Sequence, residues 1–223
     1  MYLSRLVLNP RSRQVRSELA DLYEMHRTVM QSFAGTLQPD ERVLFRVDLH
    51  PKTGIPTLLV QSQHEPDWTF LCASEKNYLL TDDDLPLNIE NPAVKTVEVS
   101  FRAGQVLAFR LRANPTVKKV IEGQRQGQRV GLLHEDDQLK WLERKIQRAG
   151  GVLLSAQVCA DGLATGKHSL EKGQKQQVRL LSVQFDGVLR VMDPSALQDA
   201  LQAGIGSGKG FGFGLLSLAP ARG

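Results

Sequence analysis

A tyrosine and a histidine, Tyr23 and His26, stand three positions apart in a segment whose apolar residues recur at helical spacing. At about 100° per residue, both side chains lie beside the apolar stripe and about 60° from each other, so they can converge on one point at the edge of a core. Histidine is the natural general acid or base near neutral pH. The pair is therefore a candidate for proton transfer, and the competing interpretation is a boundary histidine with a satisfied hydrogen bond. The stripe consists of Leu22, Met25, Val29 and Phe33.

Few other residues are placed to do chemistry. Arg27 follows the pair and projects further toward solvent, where its guanidinium could meet a phosphate. The other four histidines are scattered, and the two cysteines, Cys72 and Cys159, are far apart. The run from Asp82 to Asp84 invites a magnesium-site interpretation, but three consecutive carboxylates cannot all face one ion. We interpret it as a solvated loop and predict no metal and no cofactor.

Every second residue from 204 to 214 is a glycine, with Lys209 and two phenylalanines interleaved. A backbone this bare can approach a phosphate closely and direct its N–H groups at it, above all around Gly206, Gly208 and Gly210. The spacing of a nucleotide P-loop is absent, and the dinucleotide fingerprint fails in every register. The segment is therefore predicted to bind a polyanion such as RNA or to form a flexible turn before an edge strand.

Basic residues are concentrated in two parts of the chain, although the net charge of the 223 residues is only +4. Residues 102–129 contain seven lysines and arginines against Glu122, and residues 167–190 contain five against Glu171 and Asp186. Segregated charge suits a polyanionic partner, whereas the plain alternative is a solvated face.

Composition excludes several classes of protein. With 41% hydrophobic and 23% charged residues, the chain is globular, not disordered. No apolar run approaches the ~18 residues of a membrane span, so no membrane association is expected. The N-terminus lacks the features of a secretory signal. Two distant cysteines argue against a disulfide scaffold and a zinc finger and indicate a reducing, cytoplasmic location.

The predicted elements form two similar series. Residues 2–8, 43–49, 57–63 and 94–101 are predicted strands, with a helical stretch ending near 33 and a short helix over 67–74 capped by Asp67. This is the order of a ferredoxin-like β-α-β-β-α-β unit. Residues 106–112 are a further strand before Asn114-Pro115. The second series has strands over 117–121, 152–158, 177–185, 188–192 and 215–218, helices over 135–148 and 194–203, and an exposed hairpin or loop over 159–176.

Taken together, several stretches resemble the CasE family, the CRISPR RNA-processing endoribonucleases of the type I-E Cascade complex in the RAMP superfamily. The most specific stretch is the glycine segment with its ending Leu215-Leu216-Ser217-Leu218-Ala219-Pro220. The others are residues 1–4, the helix with Leu22, Tyr23 and His26, residues 109–115 and residues 141–145.

The resemblance implies an α+β fold with two tandem ferredoxin-like, RRM-like domains. We place the catalytic helix in the first domain, residues 1–115, and the basic hairpin and glycine segment in the second, residues 116–223. The implied partners are the hairpin repeat of a CRISPR precursor RNA, cut at the 3′ base of its stem, and the other Cascade subunits. The alternative is a non-catalytic RNA-binding RAMP scaffold subunit.

Cleavage by this family implies attack of the RNA 2′-hydroxyl on the adjacent phosphate, which gives a 2′,3′-cyclic phosphate and a 5′-hydroxyl without a metal. His26 is predicted as general base or acid, Tyr23 as its partner, and Arg27 as a possible stabiliser of the phosphate charge. The predicted RNA-binding residues are Arg125, Arg129, Lys167, Lys172, Lys175, Gly206, Gly208, Lys209 and Gly210.

Overall fold

The computed structural model describes the chain except residues 34, 36, 39–40, 73–76, 82–88, 120–127, 170–174 and 222–223. The side chains of residues 160–161, 165–169 and 175–177 also lie outside the description. The chain divides into two compact units. The first comprises Met1–Glu98, Thr165–Val178 and Gly210–Gly212, and the second comprises Val99–Ala164, Arg179–Lys209 and Phe213–Gly223.

The first unit is built on a four-stranded antiparallel sheet. Its strands are β1 (Tyr2–Val7), β2 (Leu44–Leu49), β3 (Pro56–Ser62) and β4 (Ala93–Thr96), and its helices are α1 (Arg13–Ala20), α2 (Leu22–Gln31) and α3 (Thr69–Cys72). The sheet order is β2-β3-β1-β4, in which the first strand lies between the third and the fourth. Order and connections are those of a ferredoxin-like unit, as the sequence predicts.

The predicted helical stretch before residue 33 is two helices instead of one. Asp21 lies between them with φ −135° and ψ 89°, outside the helical region. Its carboxylate accepts a hydrogen bond from the Tyr23 backbone N–H at 3.2 Å, so it caps α2. An aspartate in this position satisfies one of the donors that the first turn of a helix leaves free. The chain can therefore change direction here and start α2 just before the residues of interest.

The second unit repeats the topology of the first. Its main sheet has the order β10-β5-β9-β8 and contains β5 (Val106–Ala113), β8 (Gly151–Ser169), β9 (Lys175–Val191) and β10 (Leu216–Pro220). Helix α4 (Glu135–Arg148) precedes β8, and α5 (Pro194–Ala203) precedes β10. Strands β6 (Thr116–Lys119) and β7 (Gln128–Gly131) pair with each other. The predicted fold class, α+β with two ferredoxin-like domains, is confirmed.

Strand β5 differs from its predicted assignment. A domain over residues 1–115 would include it in the first unit, but it pairs with β9 and β10 and is the first strand of the second ferredoxin-like sheet. Of residues 188–192, predicted as a separate strand, residues 188–191 continue β9. Residues 159–169 and 175–176 extend β8 and β9, so that the predicted exposed hairpin or loop has strand arms.

Candidate functional site

Helix α2 holds Tyr23 and His26 next to each other. Its apolar stripe is buried: Leu22 is 8% exposed, and Met25 and Val29 are 0% exposed. Tyr23 and His26 lie beside the stripe and are half-buried, with ring centroids 6.1 Å apart. The structure therefore brings together the two side chains that the sequence singled out, at the edge of the core of the first unit.

The imidazole of His26 lies between two residues that are distant in sequence. The Phe45 ring stacks on it at 6.1 Å and an interplanar angle of 14°. A Cβ placed on Gly210 would lie 3.6 Å from the imidazole Cδ2 and 3.7 Å from Nε2. Because Gly210 has no side chain, only its backbone lies against this edge of the imidazole. Phe45 is fully buried and packs against the face of the imidazole.

The electrostatics favour a neutral imidazole. Burial disfavours the charged form and lowers the pKa of His26 below its usual 6.5. The Nδ1 atom of His26 is buried and has no hydrogen-bond partner among the residues that the structure describes. An unpaired buried nitrogen costs free energy, and titratable groups with perturbed pKa values are concentrated at functional sites.

The glycine segment supplies the neighbours of both rings in the first unit. The Phe211 ring lies 5.9 Å from the Tyr23 ring at a tilt of 38°. Gly212, at φ +75°, would be strained by any side chain, and a Cβ there would lie only 3.1 Å from the Phe45 ring. Residues Lys209–Phe211 form a short 3-10 helix. Residues 210–212 of the glycine segment thus make specific contacts within the first unit. A flexible turn before an edge strand, the alternative interpretation of the sequence, does not require such contacts.

The glycines before residue 210 belong to the second unit. A Cβ on Gly206, at φ +89°, would lie 3.3 Å from the Trp141 ring, and one on Gly208 would meet the Phe213 ring at 2.9 Å. The Lys209 ammonium donates to the Gly206 carbonyl at 3.1 Å. Packing and backbone conformation therefore require these glycines, and whether they also contact RNA stays a prediction.

Arg27 is placed differently from the pair. Its guanidinium contacts Glu24 at 3.1 Å, and the side chain is 65% exposed. It lines an open pocket of about 690 Å³ between α1 and α2, together with Arg13 and Glu18. The His26 imidazole is not part of that lining. The role of Arg27 in stabilising phosphate charge stays a prediction.

The predicted RNA-binding cations are spread over both units. Arg129 is exposed on β7 in the second unit. Lys167 and Lys175 lie on β8 and β9, the arms of the predicted basic hairpin, but their side chains are outside the described part. Arg125 and Lys172 lie outside the described residues altogether. These assignments also stay predictions.

Two features of the sites were not found from the sequence. Phe45 is one of four consecutive buried residues at the start of β2, so no pattern indicates that it touches His26. Lys145 lies over the Trp141 ring, 5.6 Å from its centroid, and both belong to residues 141–145, which were noted only for their resemblance. Residues four positions apart on a helix are neighbours, so a lysine four positions after a tryptophan indicates a cation–π contact of this kind.

Metal ligands are not clustered in the described part of the chain, where no three His, Cys, Asp or Glu side chains come together in a way that could hold an ion. The run Asp82-Asp83-Asp84 lies outside that part. Cys72 and Cys159 are both free and exposed. Among the described helices, none combines the length and apolarity needed to cross a membrane.

Two ferredoxin-like sheets with a glycine-rich segment before the last strand define an α+β protein of two ferredoxin-like domains. The family model of CRISPR-associated proteins matches residues 1–220, and the chain belongs to this family. The sequence is 37% identical to the CRISPR-associated endoribonuclease Cse3 of Thermus thermophilus, over 99% of this chain and all of that protein. It is 30% identical to the Cascade subunit CasE of Escherichia coli, again over 99% of this chain and all of that protein.

The fold agrees with a solved relative. The structure of the endoribonuclease Cse3 bound to a 19-nucleotide RNA matches with a TM-score of 0.81 and 34% identity, covering 99% of this chain and all of that one. The predicted resemblance to the CasE family is confirmed. The similarity extends over the whole chain, so it includes α2, with the Tyr23–His26 pair, as well as the glycine segment.

Proposed function

We propose that this protein is a metal-independent endoribonuclease that binds the stem-loop repeat of CRISPR precursor RNA and cuts at the 3′ base of the stem. The observation that carries the proposal is the imidazole of His26, which is half-buried next to Tyr23 and has no side chain from Gly210 against its edge. The names of the relatives, an endoribonuclease and a Cascade subunit, support the same activity.

The chemistry follows from the RNA, which carries its own nucleophile. The 2′-hydroxyl attacks the adjacent phosphorus, the P–O5′ bond breaks, and the products carry a 2′,3′-cyclic phosphate and a 5′-hydroxyl. Because burial lowers the pKa of His26, its imidazole is neutral at pH 7 and can accept the proton of the 2′-hydroxyl. The Tyr23 phenol donates a hydrogen bond to the phosphate or the leaving oxygen, and the leaving 5′-oxygen takes up a proton from water to become the 5′-hydroxyl. Proton transfer of this kind contributes about 10²–10⁴-fold.

Binding rests on the cations and on the shape of the duplex. An A-form stem has a narrow major groove and exposed phosphates, so it favours lysines and arginines on extended elements. The arms of the hairpin formed by β8 and β9, which carry Lys167 and Lys175, are the candidate element. After cleavage the protein keeps the stem-loop and joins the other Cascade subunits. We place this activity in the cytoplasm.

The test is cleavage of a hairpin RNA with the repeat sequence of the same genome, in buffer with EDTA. We expect one cut at the 3′ base of the stem, with a cyclic phosphate on one fragment and a 5′-hydroxyl on the other. An RNA with a 2′-deoxy nucleotide just before the cut should bind and stay intact. Cleavage of that RNA would exclude attack by the 2′-hydroxyl.

The same experiment separates the enzyme from a scaffold. Binding of the unmodified hairpin without any cleavage would mean that the protein is a non-catalytic RNA-binding subunit. Cleavage that requires added magnesium would point to the acidic residues 82–84 and contradict the metal-independent mechanism. A rate constant that falls as pH rises across the titration of His26 would reverse its role from base to acid.

A further inference from the structure

A group of cations surrounds Lys145 in the second unit. Lys145 lies on the last turn of α4 and is half-buried, with its ammonium 5.6 Å from the centroid of the Trp141 ring. Four further cations are close enough to act on its charge, and they come from α4, from β7 and from the glycine segment. They are Arg148, Arg129, Lys209 and Arg144.

Trp141 is a rigid support for this group. Its side chain is 5% exposed, and its ring stacks on Phe185 at 6.0 Å and 20°. Gly206 lies against the same ring, because a Cβ there would be 3.3 Å from it. The Lys209 ammonium bonds to the Gly206 carbonyl at 3.1 Å. Lys145 and the base of the glycine segment are thus held on one tryptophan.

The charge on Lys145 is not compensated within the described part of the protein. Burial first, and then the four neighbouring cations, lower the pKa of the ammonium. Among the described residues no carboxylate forms an ion pair with it. A helix C-terminus attracts cations and accounts for basic residues on the last turn of α4. It does not account for Arg129 and Lys209, which come from other elements.

We propose that Lys145, supported by Trp141, is a binding site for a backbone phosphate of the RNA. The inference deepens the proposed function and rests on it. An anion relieves the repulsion that the four neighbouring cations exert on Lys145, and cations on three elements suit a chain of phosphates better than one small ion. Because the Trp141 ring is covered, it positions the lysine and does not stack on a base.

The test measures the affinity of a hairpin RNA made uncleavable by one 2′-deoxy nucleotide, as a function of salt. Lys145→Gln, which removes the charge but keeps a polar, unbranched side chain, and Lys145→Ala are compared with Lys140→Ala. Lys140 is an exposed lysine on the same helix and serves as the matched control. We expect both Lys145 variants to bind about tenfold more weakly at 0.15 M salt and the slope of log K against log salt to fall by about 0.9. Lys145→Arg should keep the wild-type slope.

The outcomes distinguish failure of the Lys145 site from failure of the proposed function. Wild-type affinity and slope in folded Lys145→Gln would overturn the site, and so would an equal loss in Lys140→Ala, which would show a general charge effect. If Lys145→Ala does not fold, Lys145→Gln and Lys145→Arg still give the comparison. If the wild-type protein does not bind the hairpin, the proposed function fails and the site fails with it. Wild-type binding and cleavage with an unaltered Lys145→Gln would overturn the site alone.

Discussion

Gly210 lies against the edge of the His26 imidazole, so that a Cβ there would be 3.6 Å from Cδ2 and 3.7 Å from Nε2. It is also the one glycine of the alternating segment without a positive φ. Its backbone conformation is therefore open to residues other than glycine. The constraint at this position comes from the His26 imidazole beside it. A 3.6 Å contact is ordinary, so a methyl group fits, whereas a larger side chain must lie over the imidazole.

The first prediction follows from that contact. Gly210→Ala should cleave the repeat hairpin at nearly the wild-type rate, while Gly210→Leu should cleave at least about tenfold more slowly, which corresponds to about 1.4 kcal/mol in the barrier. The measurement is the single-turnover rate constant at saturating protein. Equal rates for the two variants would show that nothing reaches His26 from the side of Gly210.

The second prediction concerns the ring that covers the other side of His26. Phe45 is fully buried, so Phe45→Ala should destabilise the protein by about 3–5 kcal/mol, and Phe45→Leu by less. Loss of the ring admits water beside the imidazole and should move the pKa of His26 back up toward 6.5. NMR titration of the His26 ring protons in Phe45→Leu measures this shift. A pKa as low as in the wild-type protein would show that Phe45 does not cause the desolvation.

The third prediction is the pH dependence of stability that His26 causes. Below pH 6.5 an exposed histidine in the unfolded chain takes up a proton, while His26 in the folded protein resists it because its pKa is lowered. The contribution of His26 to the free energy of unfolding is therefore fully present above pH 6.5. It is lost as the pH falls toward the pKa of His26 in the folded protein. Urea unfolding of wild type and His26→Gln at pH 7.5 and 5.5 should show a smaller acid loss in the variant. Identical losses would contradict the lowered pKa.

The fourth prediction concerns the buried carboxylate that ties α1 to α2. Glu18 is 4% exposed and accepts hydrogen bonds from Tyr78 at 2.5 Å, Thr28 at 2.7 Å and Gln14 at 2.8 Å. Tyr78→Phe removes a bond to a charged acceptor and should cost about 1.5–3 kcal/mol of stability at pH 7.5 in urea unfolding. A loss below the error of the measurement would contradict this account of the network.

Tyr78 also gives this network an alkaline signature. Burial and the charge of Glu18 raise the pKa of the Tyr78 phenol far above its usual value. Its contribution to stability is present below about pH 10, where the unfolded tyrosine titrates, and is lost as pH rises further. Stability of the wild-type protein should therefore fall more steeply above pH 10 than that of Tyr78→Phe. Parallel declines would show that the phenol ionises as if it were exposed.

Elements set by local signals could be predicted well. Helix α4 has the predicted bounds, Glu135–Arg148, because its apolar spacing and the following glycines are local features. Helix α5 has the predicted bounds, Pro194–Ala203, and the Asp193 carboxylate accepts from the Ala196 N–H at 3.0 Å. The sheet to which β5 belongs depends on partners distant in sequence, which periodicity does not show. Periodicity alone therefore does not assign β5 to the sheet of the second unit.

In the candidate site, too, local contacts could be predicted from the sequence and contacts between distant residues could not. Helical spacing was enough to bring Tyr23 and His26 together, since both lie on α2. The positions of Phe45 and Gly210 against the imidazole come from the packing of a strand and a loop far away in the chain. The same holds for Lys145, whose charged neighbours lie on three elements. No local pattern in the sequence carries such information.

The central claim is that His26 moves the proton while other residues hold the RNA. The most direct measurement compares wild type and His26→Ala for cleavage of the repeat hairpin at saturating protein and for affinity toward the uncleavable 2′-deoxy RNA. The account predicts a rate constant lower by about 10²–10⁴-fold with an affinity close to that of the wild type. Cleavage by His26→Ala at the wild-type rate would contradict it.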